Sequence, residues 1–127
     1  MMQELPTVPY VGIDLVEPDR LAEKLKRNPR LLEELFHAGE VAYSRGEPDP
    51  GQCLAARLAA KEAVHKCLGM PGLEPLDVEV VGGGPDTAVA LHGEVARRAR
   101  SLGVLVTISL THVRPMAGAI AMARTPG

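Results

Sequence analysis

The run Arg57-Leu-Ala-Ala-Lys-Glu-Ala-Val-His-Lys66 sets one carboxylate among several cations on neighbouring turns. At about 100° per residue, Arg57, Lys61 and His65 share one stripe of a helix, and Glu62 and Lys66 share the next. The opposite arc is Ala56, Ala60, Ala63, Val64 and Cys67, small enough to press close to another element. An acid that grips a cation, beside bases that grip a polyanion, is chemistry suited to a metal–phosphate pair. The plain alternative is a solvated face on which Arg57/Lys61 and Glu62/Lys66 are ordinary i,i+4 neighbours.

Asp14 is the second candidate acid. It lies among apolar strand residues just after Gly12, where a carboxylate is costly to bury unless paired or bound to a metal. A structural role, capping the helix that Pro18 opens, is the competing reading. A strand Asp with a helix Glu suits Mg²⁺, which takes one or two protein carboxylates and leaves its other positions to phosphates and water. His112 ends the run Ile108-Ser-Leu-Thr-His; it is a phosphate donor or a structural histidine. Gly82-Gly-Gly-Pro85 lacks the Lys-Ser/Thr of a Walker loop and joins two strands, so it reads as a tight turn. Arg20, Lys24, Lys26, Arg27 and Arg30 cluster around the first helices. In an acidic chain such a cluster suits an acidic partner protein. No Gly-x-Ser-x-Gly elbow or Cys/His nucleophile pair stands out, so nucleophilic catalysis by this chain has little support.

The elements that position these residues follow from periodicity. Residues 8–16 alternate Val11, Ile13 and Leu15 with Tyr10, Gly12 and Asp14, the period of a half-buried strand. Pro18 opens a helix over 18–27, Asn28-Pro29 breaks it, and short helices follow over 30–37 and 39–43. Residues 44–51 read as a loop and 52–68 as the long helix, stopped by Gly69 and Pro71. A hairpin (78–81 and 87–91), a helix over 94–102 ended by Gly103, and strands over 104–110 and 117–123 about Arg114-Pro115 complete the chain. The expectation is one α+β domain, an antiparallel sheet packed against a long helix. With 127 residues, 46% hydrophobic but 2% aromatic, the core must be a thin one of Leu, Val, Ile and Ala. A net charge of −2 argues against a nucleic-acid binder. Cys53 and Cys67 lie about 21 Å apart on one helix and cannot bridge, so reduced thiols are expected. The start lacks the features of a signal peptide, and no apolar run reaches membrane-spanning length; a cytoplasmic protein is expected.

Taken together, Gly12-Ile-Asp14-Leu-Val, Arg57-Leu-Ala-Ala-Lys61-Glu62-Ala-x-x-Lys66, Asp77-Val-Glu-Val, Leu91-His-Gly93 and Ser109-Leu-Thr-His112 resemble the small holo-acyl-carrier-protein synthases. These belong to the 4′-phosphopantetheinyl transferase superfamily. The resemblance spans residues 8–123. It implies Mg²⁺-dependent transfer of phosphopantetheine from coenzyme A to a serine of apo-acyl carrier protein, releasing adenosine 3′,5′-bisphosphate. It also implies metal ligands at Asp14 and Glu62, with Lys61 beside the metal, and coenzyme A contacts at Arg57, His65, Lys66 and His112. Carrier-protein contacts fall on Arg20, Arg27 and Arg30, in a homotrimer with active sites between subunits. Glu62, Lys61 and a water are rival acceptors for the serine proton. The alternative is a homologue that binds coenzyme A or a carrier protein without turnover. The chain departs from the family pattern at Tyr10, where glycine is common, at Gly84, where lysine is usual, and in a short 69–77 segment. Leu54 and Leu58 interrupt the polar helix face and are expected at a subunit or substrate contact.

Overall fold

The computed structural model describes residues 8–127; the start read above for a signal peptide lies outside the described residues. The chain runs β1 (Val11–Val16), α1 (Pro18–Arg27), α2 (Leu31–Leu35), α3 (Ala38–Arg45) and the long α4 (Pro50–Cys67). After it come β2 (Val78–Val81), β3 (Ala88–Leu91), α5 (Gly93–Leu102), β4 (Leu105–Val113) and β5 (Met116–Arg124). Strands β1, β5 and β4 form an antiparallel sheet in that order, with Asp14 opposite Ala119. The β2–β3 hairpin pairs separately. The α+β class is the one expected.

Helix α4 is the axle. Ala59, Ala60, Ala63, Val64 and Cys67 pack with Val78, Val80, Val95, Ala119 and Ala121 in one core cluster. Its N-terminal half meets Leu21, Phe36 and Ala117 in a second. Leu54 and Leu58 belong to this second cluster, each 9% exposed. The helix begins two residues earlier than expected because Asp49 caps it, accepting a hydrogen bond from the Gln52 amide at 3.1 Å, and Pro50 occupies its first turn. A proline there loses no hydrogen bond.

The predicted alternation of β1 is present, and it is the small side that faces inward. Gly12 is buried against α4, whereas Ile13 and Leu15 are each 61% exposed in the isolated chain. Gly12 is required by this approach. A Cβ there would run into the Ala63 carbonyl oxygen and sit 2.8 Å from the Cys67 nitrogen, both backbone atoms that cannot swing aside. Gly12→Ala is therefore expected to lower stability by about 1–3 kcal/mol or more, read by thermal melting; an unchanged midpoint would contradict the close approach. At the strand's entry Tyr10 has φ 64°, the left-handed conformation that explains a family preference for glycine. Its amide donates to Cys67 O at 3.0 Å and its carbonyl accepts from Ala123 N at 2.9 Å, which hold it there.

Candidate active site

The register of β1 and the rotation of α4 bring Asp14 and Glu62 together. Asp14 projects from β1 toward α4, its side chain 12% exposed. Its Oδ1 accepts from Lys66 Nζ at 2.8 Å, and the same ammonium donates to Ile13 O at 3.2 Å. Its Oδ2 is buried and finds no hydrogen-bond partner among the described residues. Asp14 and Glu62 line one cavity, and the charge of one acts on the other. Burial first, and then the neighbouring Asp14 carboxylate, push the Glu62 pKa from 4.5 to about 7. Lys66 and Lys24 oppose that shift, while the Asp14 carboxylate raises the Lys66 pKa. Two half-buried acids repelling each other, one with an unpartnered oxygen, are hard donors that fit a divalent cation. They line a cavity of about 390 Å³ with His65, Lys66, Met70 and Leu73.

The Arg57/Lys61/His65 stripe has a different destination. The structure rules out the solvated-face reading: these side chains are buried beneath the hairpin and the segment before it. Arg57 donates to Val80 O and Gly82 O, each at 2.6 Å, and its guanidinium lies 4.3 Å from the Tyr43 ring centre. Lys61 Nζ donates to Glu40 Oε1 at 2.8 Å, Pro75 O at 2.9 Å and Val78 O at 2.5 Å. Three acceptors need all three protons of an ammonium. Burial lowers the Lys61 pKa and the Glu40 ion pair opposes that. His65 Nδ1 donates to Lys61 O at 2.7 Å and its Nε2 accepts from Glu74 N at 3.0 Å. These three side chains thus fasten the hairpin and the 72–78 segment to α4. Of the stripe, His65 alone also borders the acid cavity.

Glu40 is the residue the sequence reading missed. It is 1% exposed and also accepts from Val80 N at 3.0 Å and His37 N at 2.8 Å. The only sequence signal for it is that a buried lysine requires some carboxylate.

His112 sits elsewhere, its Nδ1 2.8 Å from Gln52 Oε1. With Arg57, Tyr43, Gly84, Pro85 and Ser109 it borders a second cavity of about 370 Å³, which shares no lining residue with the acid cavity. The Gly82–Pro85 segment is a turn between strands, as expected, and forms part of that wall. A third depression, about 470 Å³, runs from Glu62 along Leu58, Leu73 and Leu35 to Arg20 and Lys24. Arg20, Arg27 and Arg30 are all exposed. Cys53 and Cys67 are free and buried, and burial pushes the Cys67 thiol up to about 11. Among the described residues no helix is long and apolar enough to cross a membrane.

Comparison with known proteins fits this site. The profile of the 4′-phosphopantetheinyl transferase superfamily matches residues 10–104. The chain is 46% identical over 118 residues to the holo-[acyl-carrier-protein] synthase of Moorella thermoacetica, covering 87% of this chain and 90% of that protein. It is 43% identical to the Streptomyces coelicolor synthase, covering 89% and 94% of the two chains. Among solved structures, the ACPS–CoA complex of Chronobacterium ammoniagenes superposes with a TM-score of 0.78 at 28% identity, over 93% of this chain and 98% of that one. The acyl carrier protein synthase of Mycobacterium tuberculosis gives 0.69 at 32% identity, over 91% and 96%. By that profile match and those identities, the chain belongs to the 4′-phosphopantetheinyl transferase superfamily.

Proposed function

We propose that this chain is a single holo-acyl-carrier-protein synthase domain, which moves phosphopantetheine from coenzyme A to a serine of apo-acyl carrier protein. The observation that carries this reading is the Asp14–Glu62 pair, with its unpartnered oxygen and raised glutamate pKa, in a chain so similar to named synthases. Asp14 and Glu62 are the residues that would hold Mg²⁺, which when bound neutralises diphosphate charge and favours departure of the bisphosphate. Lys66, exposed beside Asp14, adds a cation at the diphosphate. In the transfer the serine oxygen bonds to the β-phosphorus, the bond to the bridging oxygen breaks, and adenosine 3′,5′-bisphosphate leaves. The serine proton passes to Glu62 or to a water that it orients. Lys61 is excluded as its acceptor because all three ammonium protons are engaged. Lys61 acts instead as a positioning residue.

The coenzyme A contacts at Arg57, His65, Lys66 and His112 are divided between two cavities with no common wall. That division supports active sites built between subunits, where one chain's His112 cavity completes a neighbour's acid cavity. The outer face of the β1-β5-β4 sheet supports the same assembly, with Val11, Ile13, Leu15, Ile120 and Met122 each more than 40% exposed. A contiguous apolar face of this kind marks an interface, and a homotrimer is the proposed form. Ile13→Lys is expected to yield monomers in sedimentation; a variant that sediments like the wild type removes the sheet from the interface.

Arg20 borders the groove that leads to Glu62, and with Arg27 and Arg30, exposed on and after α1, it would dock the acidic carrier. The reaction is tested by mixing the protein with coenzyme A, Mg²⁺ and apo-acyl carrier protein and weighing the carrier. A gain of one phosphopantetheine mass supports the transferase; an unchanged carrier that still binds supports a homologue without turnover. Arg27→Glu is expected to raise KM for the carrier with little change in KM for coenzyme A, and the reverse order would remove the docking assignment. The cytoplasm, where the chain's free thiols stay reduced, is the proposed compartment, and fatty acid biosynthesis the proposed setting.

A further inference from the structure

On the far side of strand β2 from the buried lysine, two histidines converge on one carboxylate oxygen. His92, which precedes α5, places Nε2 2.9 Å from Glu79 Oε1. His37, which precedes α3, places Nδ1 4.0 Å from that same oxygen. The two rings lie 5.3 Å apart, tilted by 40°. One potential ligand atom from each of the three residues falls within 4.8 Å of the others.

The hydrogen bond between Glu79 and His92 explains that pair, while His37, the N-cap residue of α3 whose amide donates to Glu40, has no hydrogen bond to Glu79. His37 Nε2 lies 2.7 Å from Leu76 O, a carbonyl that can only accept, so Nε2 carries the proton and donates. In the neutral ring, Nδ1 then turns a lone pair toward a carboxylate oxygen that is also an acceptor. Two acceptors facing each other are reconciled by a proton on Nδ1 or by a metal ion between them. A histidine whose other nitrogen donates to a backbone carbonyl is the arrangement by which proteins orient a metal-ligating imidazole. Two imidazoles and one carboxylate are borderline donors that suit Zn²⁺ and discriminate against Mg²⁺. Ligand atoms on a tetrahedral zinc stand about 3.3 Å apart, from bonds of about 2.1 Å. The measured 2.9 and 4.0 Å bracket that separation, so small side-chain rotations suffice. Side-chain exposures of 29%, 26% and 45% for His37, Glu79 and His92 leave the cluster open to an entering ion.

We propose that His37, Glu79 and His92 form a zinc-class metal site, separate from the acid pair, which ties the starts of α3 and α5 to strand β2. A water completes the four-coordinate shell. The placement gives the site a mechanical consequence. Glu79 lies between Val78, whose carbonyl binds Lys61, and Val80, whose amide binds Glu40 and whose carbonyl binds Arg57. An ion there braces the strand on which the Arg57 cavity hangs.

The test is calorimetric titration of the full chain with Zn²⁺ in millimolar Mg²⁺, alongside the imidazole proton spectrum. The wild type is expected to take one equivalent at this cluster, to shift the ring signals of two of its four histidines and to melt at a higher temperature. His37→Ala, His92→Ala and Glu79→Gln should each weaken binding by more than about tenfold, whereas Asp14→Asn and Cys53→Ser should leave it intact. Metal-free melting curves identify any variant that fails to fold, and the remaining two then carry the test. Absence of zinc binding in the wild type overturns the proposal. So does binding that survives in folded His37→Ala and His92→Ala, or that is lost in folded Asp14→Asn.

Discussion

Asp14→Asn and Glu62→Gln are each expected to reduce phosphopantetheine transfer by at least about a hundredfold, the scale on which losing one preorganised charge-stabilising group costs catalysis, while the chain stays folded. Both replacements keep the shape of the side chain and remove one charge from a pair that repels itself. A second, independent signature follows from the same repulsion. Burial and Asp14 raise the Glu62 pKa from 4.5 to about 7, so the folded chain holds this proton more tightly than the unfolded one. In the presence of a chelator the resulting stability is complete below pH 4.5. It falls as the pH rises toward about 7, and is flat beyond that. Added Mg²⁺ should recover the loss at pH 8, and Glu62→Gln should abolish this part of the pH dependence. Differential scanning calorimetry across pH 4–9, with and without Mg²⁺, reads both effects. A wild-type profile that ignores Mg²⁺, or a Glu62→Gln enzyme with ordinary turnover, contradicts the assignment.

Lys61→Met is expected to unfold or severely weaken the protein rather than to produce a folded, inactive enzyme. Its ammonium is fully buried and bound to Glu40, Pro75 O and Val78 O. Its removal leaves the Glu40 carboxylate buried without its cation, although the Val80 and His37 amides still reach it. Breaking a buried ion pair from one side costs about 3–5 kcal/mol, enough to lower the melting midpoint by roughly 10 °C or more in a chain of this size. The double variant Lys61→Met/Glu40→Leu should recover part of the loss, because neither charge then remains buried. A proton-accepting lysine predicts the opposite pattern, with normal melting and no transfer. Melting of the two variants beside their transfer rates separates the two roles.

The sequence carries the chemistry of this site further than its geometry. Asp14 and Glu62 are legible because an acid inside an apolar strand, and another among helix cations, each need a reason to be there. The small arc Ala60, Ala63, Val64 and Cys67 foretells that something packs close, and Gly12 is the matching half of that contact. What periodicity cannot reveal is where a polar stripe ends up. Arg57 and Lys61 have the spacing of a solvated face, yet they are buried because backbone carbonyls at Val78, Val80 and Gly82 supply the acceptors that water would. Those partners lie some twenty residues further on, beyond the reach of any local pattern. The same holds for Glu40, which is indistinguishable from a surface acid until Lys61 is placed. Asp49-Pro50 looks like loop chemistry, and it is the cap and first turn of α4. In β1 the alternation is correct, but the larger residues point away from the core; a partner surface, unlike a strand, leaves no mark on period.

Crystals soaked with coenzyme A and Mn²⁺ in place of Mg²⁺, measured at the manganese absorption edge, test the central claim most directly. The account predicts an anomalous peak within coordination distance of oxygens from both Asp14 and Glu62 and of the diphosphate. A peak bound elsewhere, or coenzyme A seated with neither carboxylate near the metal, would contradict it.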